Sequence, residues 1–586
     1  MSIPESPRTR ADVYAGEIVA QIPRLLAALD REPQSKSYGS FDREHWAWKF
    51  RDFPVTMFQM AVYPLALLWR HPMPGSGCHA NGRVLEWIAA AMEATWQRQH
   101  RNGSFDSVGP YTQDHGVTLA LSYILARSAS VLGDALPPPA HAAIRDAVAR
   151  ACKFCERSSE DYAFINNHQA FFALAWLEAA ELLGEERYHA RADAVIEEIV
   201  RQQSPDGWYR EYGGPDPGYE SLGIFNLAGY WQRTRSPRLL ESLRRSVEFY
   251  AHCVHPDGGV GGVYGSRHTS LYYPGGFEIL AGEIPAAASV ARFLCPRLAL
   301  QNVVTPTGTD AENLPSLILA YVHAFLAARE ERKVAVPTSL PCEVLQEIRH
   351  FAEASITVAG TPHYYAIVNG AKGGVCRIFD RSTSRIAYED AGYVVGTPAV
   401  SWSSQLLGQG RSDPVVGGRE VACTAALAEV RQELLTPLKF VVLRLLNLTV
   451  FRSVRLGSSL RRIIIGRLIT TRRSGPLRLH RLLTFGEDFV RVRDRLSSLR
   501  PLRVESVALP RSFMAVHMGS AKYFHYSELE PTPAASVAGM ARALSDHGGA
   551  ERAFVIRFLA NSAPVLEVEK DGTTRQSTES EAMARP

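Results

Sequence analysis

Ser204-Pro205-Asp206-Gly207-Trp208-Tyr209 ends a run of apolar residues at helical spacing, and His100-Arg101-Asn102-Gly103-Ser104-Phe105 and His255-Pro256-Asp257-Gly258-Gly259-Val260 end two others. With a degenerate fourth at Ser158 to Phe164, these Gly-bearing loops recur about every fifty residues, the length of one helix pair with its connections. A helix pair cannot bury its inner face alone, so the period predicts pairs arranged round an axis with their loops gathered on one rim. The helical spacing reaches from about residue 11 to 331, as in Ile18, Ile22, Leu25 and Leu26, or Ala173, Leu174, Leu177 and Ala180.

From about Ser355 the pattern changes to short alternating or apolar runs divided by Gly, Asn, Ser and Pro, such as Tyr364 to Val368 and Phe440 to Leu443. Helices followed by strands, without alternation, exclude a doubly wound sheet. The expected fold class is multidomain α+β: an (α/α) toroid, written as an incomplete barrel, over 1–334, a linker over 335–354, an antiparallel β-sandwich over 355–570 and a disordered tail over 571–586. A length of 586 residues fits two such units better than one core.

The net charge of +4 is too mild for a dedicated nucleic-acid binder, and no nucleic-acid partner is expected. The charge is uneven: Lys439 to Arg503 holds about sixteen Lys and Arg against Glu487, Asp488 and Asp494, a basic block that suits an anionic polymer or forms a solvated sheet face. Lys439 and Arg444 interrupt the richest apolar run, so no membrane span is expected. Met1 to Arg10 lacks the charged start and apolar run of a signal peptide, which makes the cytoplasm the expected location, or the periplasm if a leader precedes this sequence. Eight cysteines make no disulfide framework or zinc set, and they are read as reduced core residues.

Three loop segments hold the candidate chemistry. Asn166-Asn167-His168 opens a helix, where one Asn has the residue type of a cap. Asp206 to Tyr219 is a long loop dense in aromatic and polar residues, costly to order as a mere connector. Gly265 to Glu278 is Gly-flanked and rich in donors, and Arg267 within it offers a planar fork that matches a carboxylate. No phosphate-binding Gly-Lys-Ser/Thr loop and no Gly-x-Ser-x-Gly elbow is present, so no cofactor is expected. His252, His255 and Asp257 form a weak metal candidate, better read as histidines at a helix end, and no metal is expected.

Asn167-His168, followed about fifty residues later by Asp206-Gly207, Glu211 and Pro217-Gly218-Tyr219, resembles the heparinase II/III-like superfamily of polysaccharide lyases, which includes oligoalginate lyases. The segments Tyr38 to Lys49 and Ser266-Arg267-His268 are similar to those of heparinase-like proteins from bacterial exopolysaccharide clusters. The resemblance implies an α/α toroid backed by a β-sandwich and an elimination site of Asn167, His168 and Tyr219. The His-x-His-x-Asp element of the β domain is absent, with His363 its nearest counterpart, and His268 is the candidate to replace the histidine it carries. The expected partner is an anionic polysaccharide or oligosaccharide, with the oligomeric state left open.

In this reading Asn167 neutralises the uronate carboxylate, His168 or His268 removes the proton at C5, and Tyr219 protonates the bridging oxygen or acts as base, helped by Arg267. Asn166, Glu211, Trp208, Tyr212 and Tyr264 join Arg267 as substrate contacts, the aromatics by stacking on sugar faces, a role that Tyr209 shares. Two other functions remain open. A glycoside hydrolase would draw a carboxylate pair from Asp114, Asp161, Glu211, Asp216, Glu220 and Glu278, and a glycan-binding protein of exopolysaccharide synthesis would need neither.

Overall fold

The structure, a computed structural model, describes residues 9–160, 164–211, 213–330, 335–405, 415–430, 436–454, 456–457, 459–460, 473–515, 519–529, 535–559, 562–570 and 573–576. Its first long helix, Arg10–Ala28, begins at a capping box: the Thr9 hydroxyl accepts from the amide of Asp12, and the Asp12 carboxylate accepts from the amide of Thr9. That helix lies against Leu314–Arg329, the last helix of the toroid, and so closes the helical half on itself.

Among the described residues, Val62–Arg70, His115–Leu132, Asn166–Leu183, Pro217–Thr234, Gly275–Leu280 and Leu314–Arg329 pack in succession, and the last also meets the first. Outside these six run Gly82–Trp96, Pro138–Cys155, Glu186–Gln202, Pro237–Ala251, Pro285–Leu294 and Arg10–Ala28, one against each. The sequence separates the two layers. Glu186–Gln202 buries only Tyr188, Ala192, Ile196 and Ile199, a single stripe, as an outer helix should. Asn166–Leu183 buries residues on every side because it is covered by neighbours all round. His115–Ala135 is long and apolar enough to cross a membrane by length and composition alone, but 72% of that apolar window is buried within the protein. The ring is thinnest at Gly275–Leu280, a helix of six residues.

The second half is antiparallel throughout. Ile348–Phe351, Ile356–Gly360, Tyr364–Asn369, Val375–Asp380 and Arg385–Asp390 form a five-stranded meander. A larger sheet is centred on Glu420–Val430, Ser474–Phe485, Phe489–Ser498 and Gly549–Arg557. Ala359, Tyr364 and Ile378 of the first sheet share a core with Val421, Leu483 and Phe554 of the second, which makes a sandwich. All eight cysteines are free and buried.

Three local expectations need correction. Phe440 to Leu443 is helical, within Pro437–Leu448: Thr436 caps the Lys439 amide, and Pro437 fills the first helical position, where its missing N–H costs nothing. Ile348–Phe351 already pairs with Ile356–Gly360, so the sheet begins inside the expected linker. Thr573–Gln576 pairs with Val565–Lys570, so those four tail residues are strand, while 577–586 lie outside the described residues.

Part of the basic block is paired within the second half. Arg481 is buried against Asp494 and Asp390, with Arg552 on Asp494 as well, and Arg491, Arg493 and Arg495 pair with Glu569 or Glu551. The two halves are stitched through the loop before Arg267. Lys372 donates to the carbonyls of Val263 and Gly265 at 2.6 and 2.7 Å, Asn369 to that of Tyr264 at 2.7 Å, and Tyr365 to that of His252 at 2.7 Å. Burial pulls the Lys372 ammonium down to about 7, with the charge of Asp216 pulling the other way.

Candidate active site

Ile165, the residue before Asn166–Leu183, offers the helix no side-chain cap. A distant carboxylate takes that place: Glu211 Oε1 accepts from the backbone N–H of Asn167 at 3.0 Å and from its side-chain Nδ2 at 2.8 Å. A wholly buried carboxylate at a helix N-terminus satisfies orphan donors and the helix dipole together. Its other oxygen, Oε2, receives Arg267 Nη1 at 3.2 Å. Burial pushes the Glu211 acid up, while Arg267, both Asn167 donors and His168 pull against it.

Asp216 fixes the third group. It caps Pro217–Thr234 by accepting from the Tyr219 amide at 3.2 Å, and it accepts from the Arg267 amide at 2.8 Å. Gly218 is required here, because a Cβ would stand 2.2 Å from Thr269 Oγ1. The guanidinium of Arg267 consequently lies over the Tyr219 ring, 3.6 Å from its centroid. The Tyr219 hydroxyl donates to Ser520 Oγ at 2.8 Å, a residue from the second half of the chain. Burial raises the Tyr219 phenol above its ordinary value, outweighing the downward pull of Arg267 and Ser520.

His168 keeps its side chain 39% exposed and sets Nδ1 3.0 Å from Glu160 Oε2. The carboxylate accepts a hydrogen bond from Nδ1–H, which leaves the lone pair of the neutral ring on Nε2. Burial lowers the imidazole, but the Glu160 hydrogen bond and charge, with Glu211 behind them, raise it above its ordinary value overall. Asn167, His168, Glu211, Tyr219 and Arg267 thus form one connected group.

His268 is not part of it. Arg267 and His268 are successive residues whose side chains serve different places. His268 lines a cavity of about 150 Å³ between the halves, with Ser270, Arg377, Tyr523 and His525. Burial, then Lys372 and Arg377, hold its imidazole well below the ordinary value. Its backbone is left-handed, φ 59°, which is costly for a non-glycine residue.

The aromatic contacts also need correction. Trp208 is 4% exposed, and Tyr264 and Tyr209 are buried, so none presents a face to a sugar. Tyr264 donates to the carbonyl of Cys253 and Tyr209 is hydrogen-bonded to Ser242, so both hydroxyls serve the core. Tyr212 lies outside the described residues. Asn166 is wholly buried against Gly223 without a side-chain hydrogen bond, so it caps nothing and is closed to solvent.

The candidate carboxylates have structural duties. Asp114 and Asp216 cap helices, Glu278 holds Arg10 and Tyr14, and Glu220 accepts from Ser246 and the Tyr209 amide. Asp161 lies outside the described residues. Glu160 and Ser520 were not foreseen. Glu160 lay within the degenerate fourth loop, and Ser520, 301 residues from Tyr219, has no sequence signal.

Residues 56–278 match the family model of the ulvan lyase N-terminal domain, a span that holds every residue of this group. Chondroitin AC lyase of Streptomyces coelicolor A3, solved with chondroitin sulphate, superposes with a TM-score of 0.53 at 13% identity, over 86% of this chain and 69% of that one. Xanthan lyase of Paenibacillus superposes with a TM-score of 0.52 at 12% identity, over 84% of this chain. This chain spans only 46% of that protein's length. At such identities the likeness is one of fold. No curated protein matches the sequence. The superpositions show the fold, an α/α toroid joined to a β-sandwich, and the family model covers the part of the toroid that holds the connected group. That part of the toroid is similar to the N-terminal domain of the ulvan lyases.

Proposed function

We propose that the chain cleaves a uronate-containing polysaccharide or oligosaccharide by β-elimination at the Asn167, His168 and Tyr219 cleft. The observation that carries this reading is the arrangement of Arg267, over the Tyr219 ring and on the carboxylate that holds Asn167. Asn167 Nδ2 has a second N–H beyond the one given to Glu211, and that donor suits the uronate carboxylate. Arg267, anchored on Glu211, adds positive charge where the carboxylate gains enolate character.

His168 is the base: Nε2 takes the C5 proton, the C5–H electrons form the C4=C5 double bond, and the C4–O bond breaks towards the bridging oxygen. Tyr219, held as a phenol by burial, gives its proton to that oxygen. Protons and electrons balance with no cofactor. Glu160 positions His168 and raises its basicity, as the carboxylate beside a catalytic imidazole does in general. The structural duties of the described carboxylates weigh against a hydrolytic pair. The test is a panel of uronate polymers, including ulvan, chondroitin sulphate, xanthan and alginate, read for an unsaturated product.

A further inference from the structure

The Pro437–Leu448 helix is turned inside out. Leu438, Val441, Leu445 and Leu448 follow the i, i+3, i+7, i+10 spacing of one helix stripe, Val442 lies beside them, and all five point outward with exposures between 41% and 74%. The side that faces the protein carries Asn447, the helix's one buried residue, against Gly109. An exposed apolar stripe of this length is not needed for the core, and such patches mark interaction surfaces.

The stripe is extended by the toroid. Arg444 pairs with Asp52 and covers the Phe53 ring at 4.7 Å, so the helix leans on the loop that carries Trp48 and Phe50. Those two rings stack on each other at 5.8 Å and are 61% and 77% exposed. The charge on this segment is basic: Lys439, Arg444 and Arg452 flank the stripe, the sequence has no Asp or Glu between Glu433 and Glu487, and Asp52 of the adjoining loop pairs with Arg444.

We infer that this face docks on an anionic phospholipid surface. An apolar stripe flanked by Lys and Arg, with Trp and Phe at its edge, is what an interfacial helix presents to headgroups and the acyl boundary. A second copy of the chain suits it less well, because a two-fold contact would set the same cations against one another. The docked face is joined through the toroid to the helix that carries His168. Gln113 Nε2 donates to the carbonyls of Phe451 and Arg452 at 3.1 Å, and Gln113 leads into the His115 helix, whose His115 ring meets Phe172, one turn beyond His168. Docking would hold the cleft beside the membrane, where a polymer emerging from it could be reached. The inference does not depend on the chemistry proposed for the cleft.

The test is co-sedimentation of the full chain with phosphatidylcholine vesicles, with and without phosphatidylglycerol, at low and high salt, together with light scattering for oligomeric state. Binding should require phosphatidylglycerol and weaken with salt. The double substitution Val441→Asp and Leu445→Asp should reduce it about tenfold or more while melting temperature is unchanged, since both sites are exposed. Lys439→Glu should weaken it by a smaller factor. Absence of binding to the anionic vesicles, or binding indifferent to the double substitution, overturns the proposal. A dimer that the double substitution dissolves, in protein that ignores vesicles, overturns it in favour of a second copy.

Discussion

Arg267 lies with its guanidinium 3.6 Å above the centre of the Tyr219 ring. A cation so close favours the phenolate, yet burial raises the phenol by more than the cation lowers it, so the resting group carries its proton. Tyr219→Phe should therefore lower kcat by about 10²-fold or more and leave KM nearly unchanged, because the hydroxyl acts on a proton in flight. Arg267→Ala should raise KM as well, since a charge facing the uronate also holds the ground state. Steady-state kinetics of both variants decide this, and a Tyr219→Phe enzyme with near-normal turnover removes Tyr219 from the mechanism.

The Glu160 carboxylate on His168 Nδ1 raises the imidazole above its ordinary value. If neutral His168 is the base, kcat/KM should climb with pH through that raised value and level off above it. Glu160→Gln removes the negative charge, so the acidic limb should shift to lower pH and the plateau should fall. A pH profile of the variant that keeps the wild-type limb would assign the limb to another group.

Glu211 joins Asn167 and Arg267 while wholly buried. Glu211→Gln removes the negative charge that faces the buried guanidinium, and the expected loss of stability is about 3 kcal/mol. Urea unfolding measures it. A variant as stable as the wild type would show that Arg267 finds solvent instead.

Glu220, buried between the Tyr209 amide and Ser246, is pushed up by burial to about 8. Folding therefore retains its proton where the unfolded chain, near 4.5, has lost it. The sign follows: between those values stability falls as pH rises, because the folded state binds the extra proton. Glu220→Gln, which copies the protonated form, should flatten this fall and raise the melting temperature at pH 8 relative to wild type. Thermal scans from pH 5 to pH 8 check it, and parallel curves for the two proteins would contradict it.

Position along a helix or loop is what the sequence makes legible. Asn167, Tyr219 and Arg267 each lie in a Gly-flanked loop or first helical turn, and the structure brings the three together. The sequence reading failed where a direction or a distant partner decides. His268 follows Arg267 by one residue yet lines another cavity, because its left-handed backbone, φ 59°, turns the chain there. Trp208 and Tyr264 have the composition of a sugar platform, but composition cannot distinguish a ring facing a cleft from one facing the core. Ser520 reaches Tyr219 across a domain boundary that no local pattern crosses. The β-branched run at Val441 and Val442 suggested a strand, and the Thr436 cap with Pro437 made a helix of it.

The central claim is elimination, and its direct measurement is the ultraviolet spectrum of products from an acidic polysaccharide digested by the purified chain. β-Elimination leaves a C4=C5 double bond conjugated with the uronate carboxylate, so an absorption band should grow in step with new reducing ends and disappear in Tyr219→Phe. New reducing ends without that band would mean hydrolysis and would contradict the account.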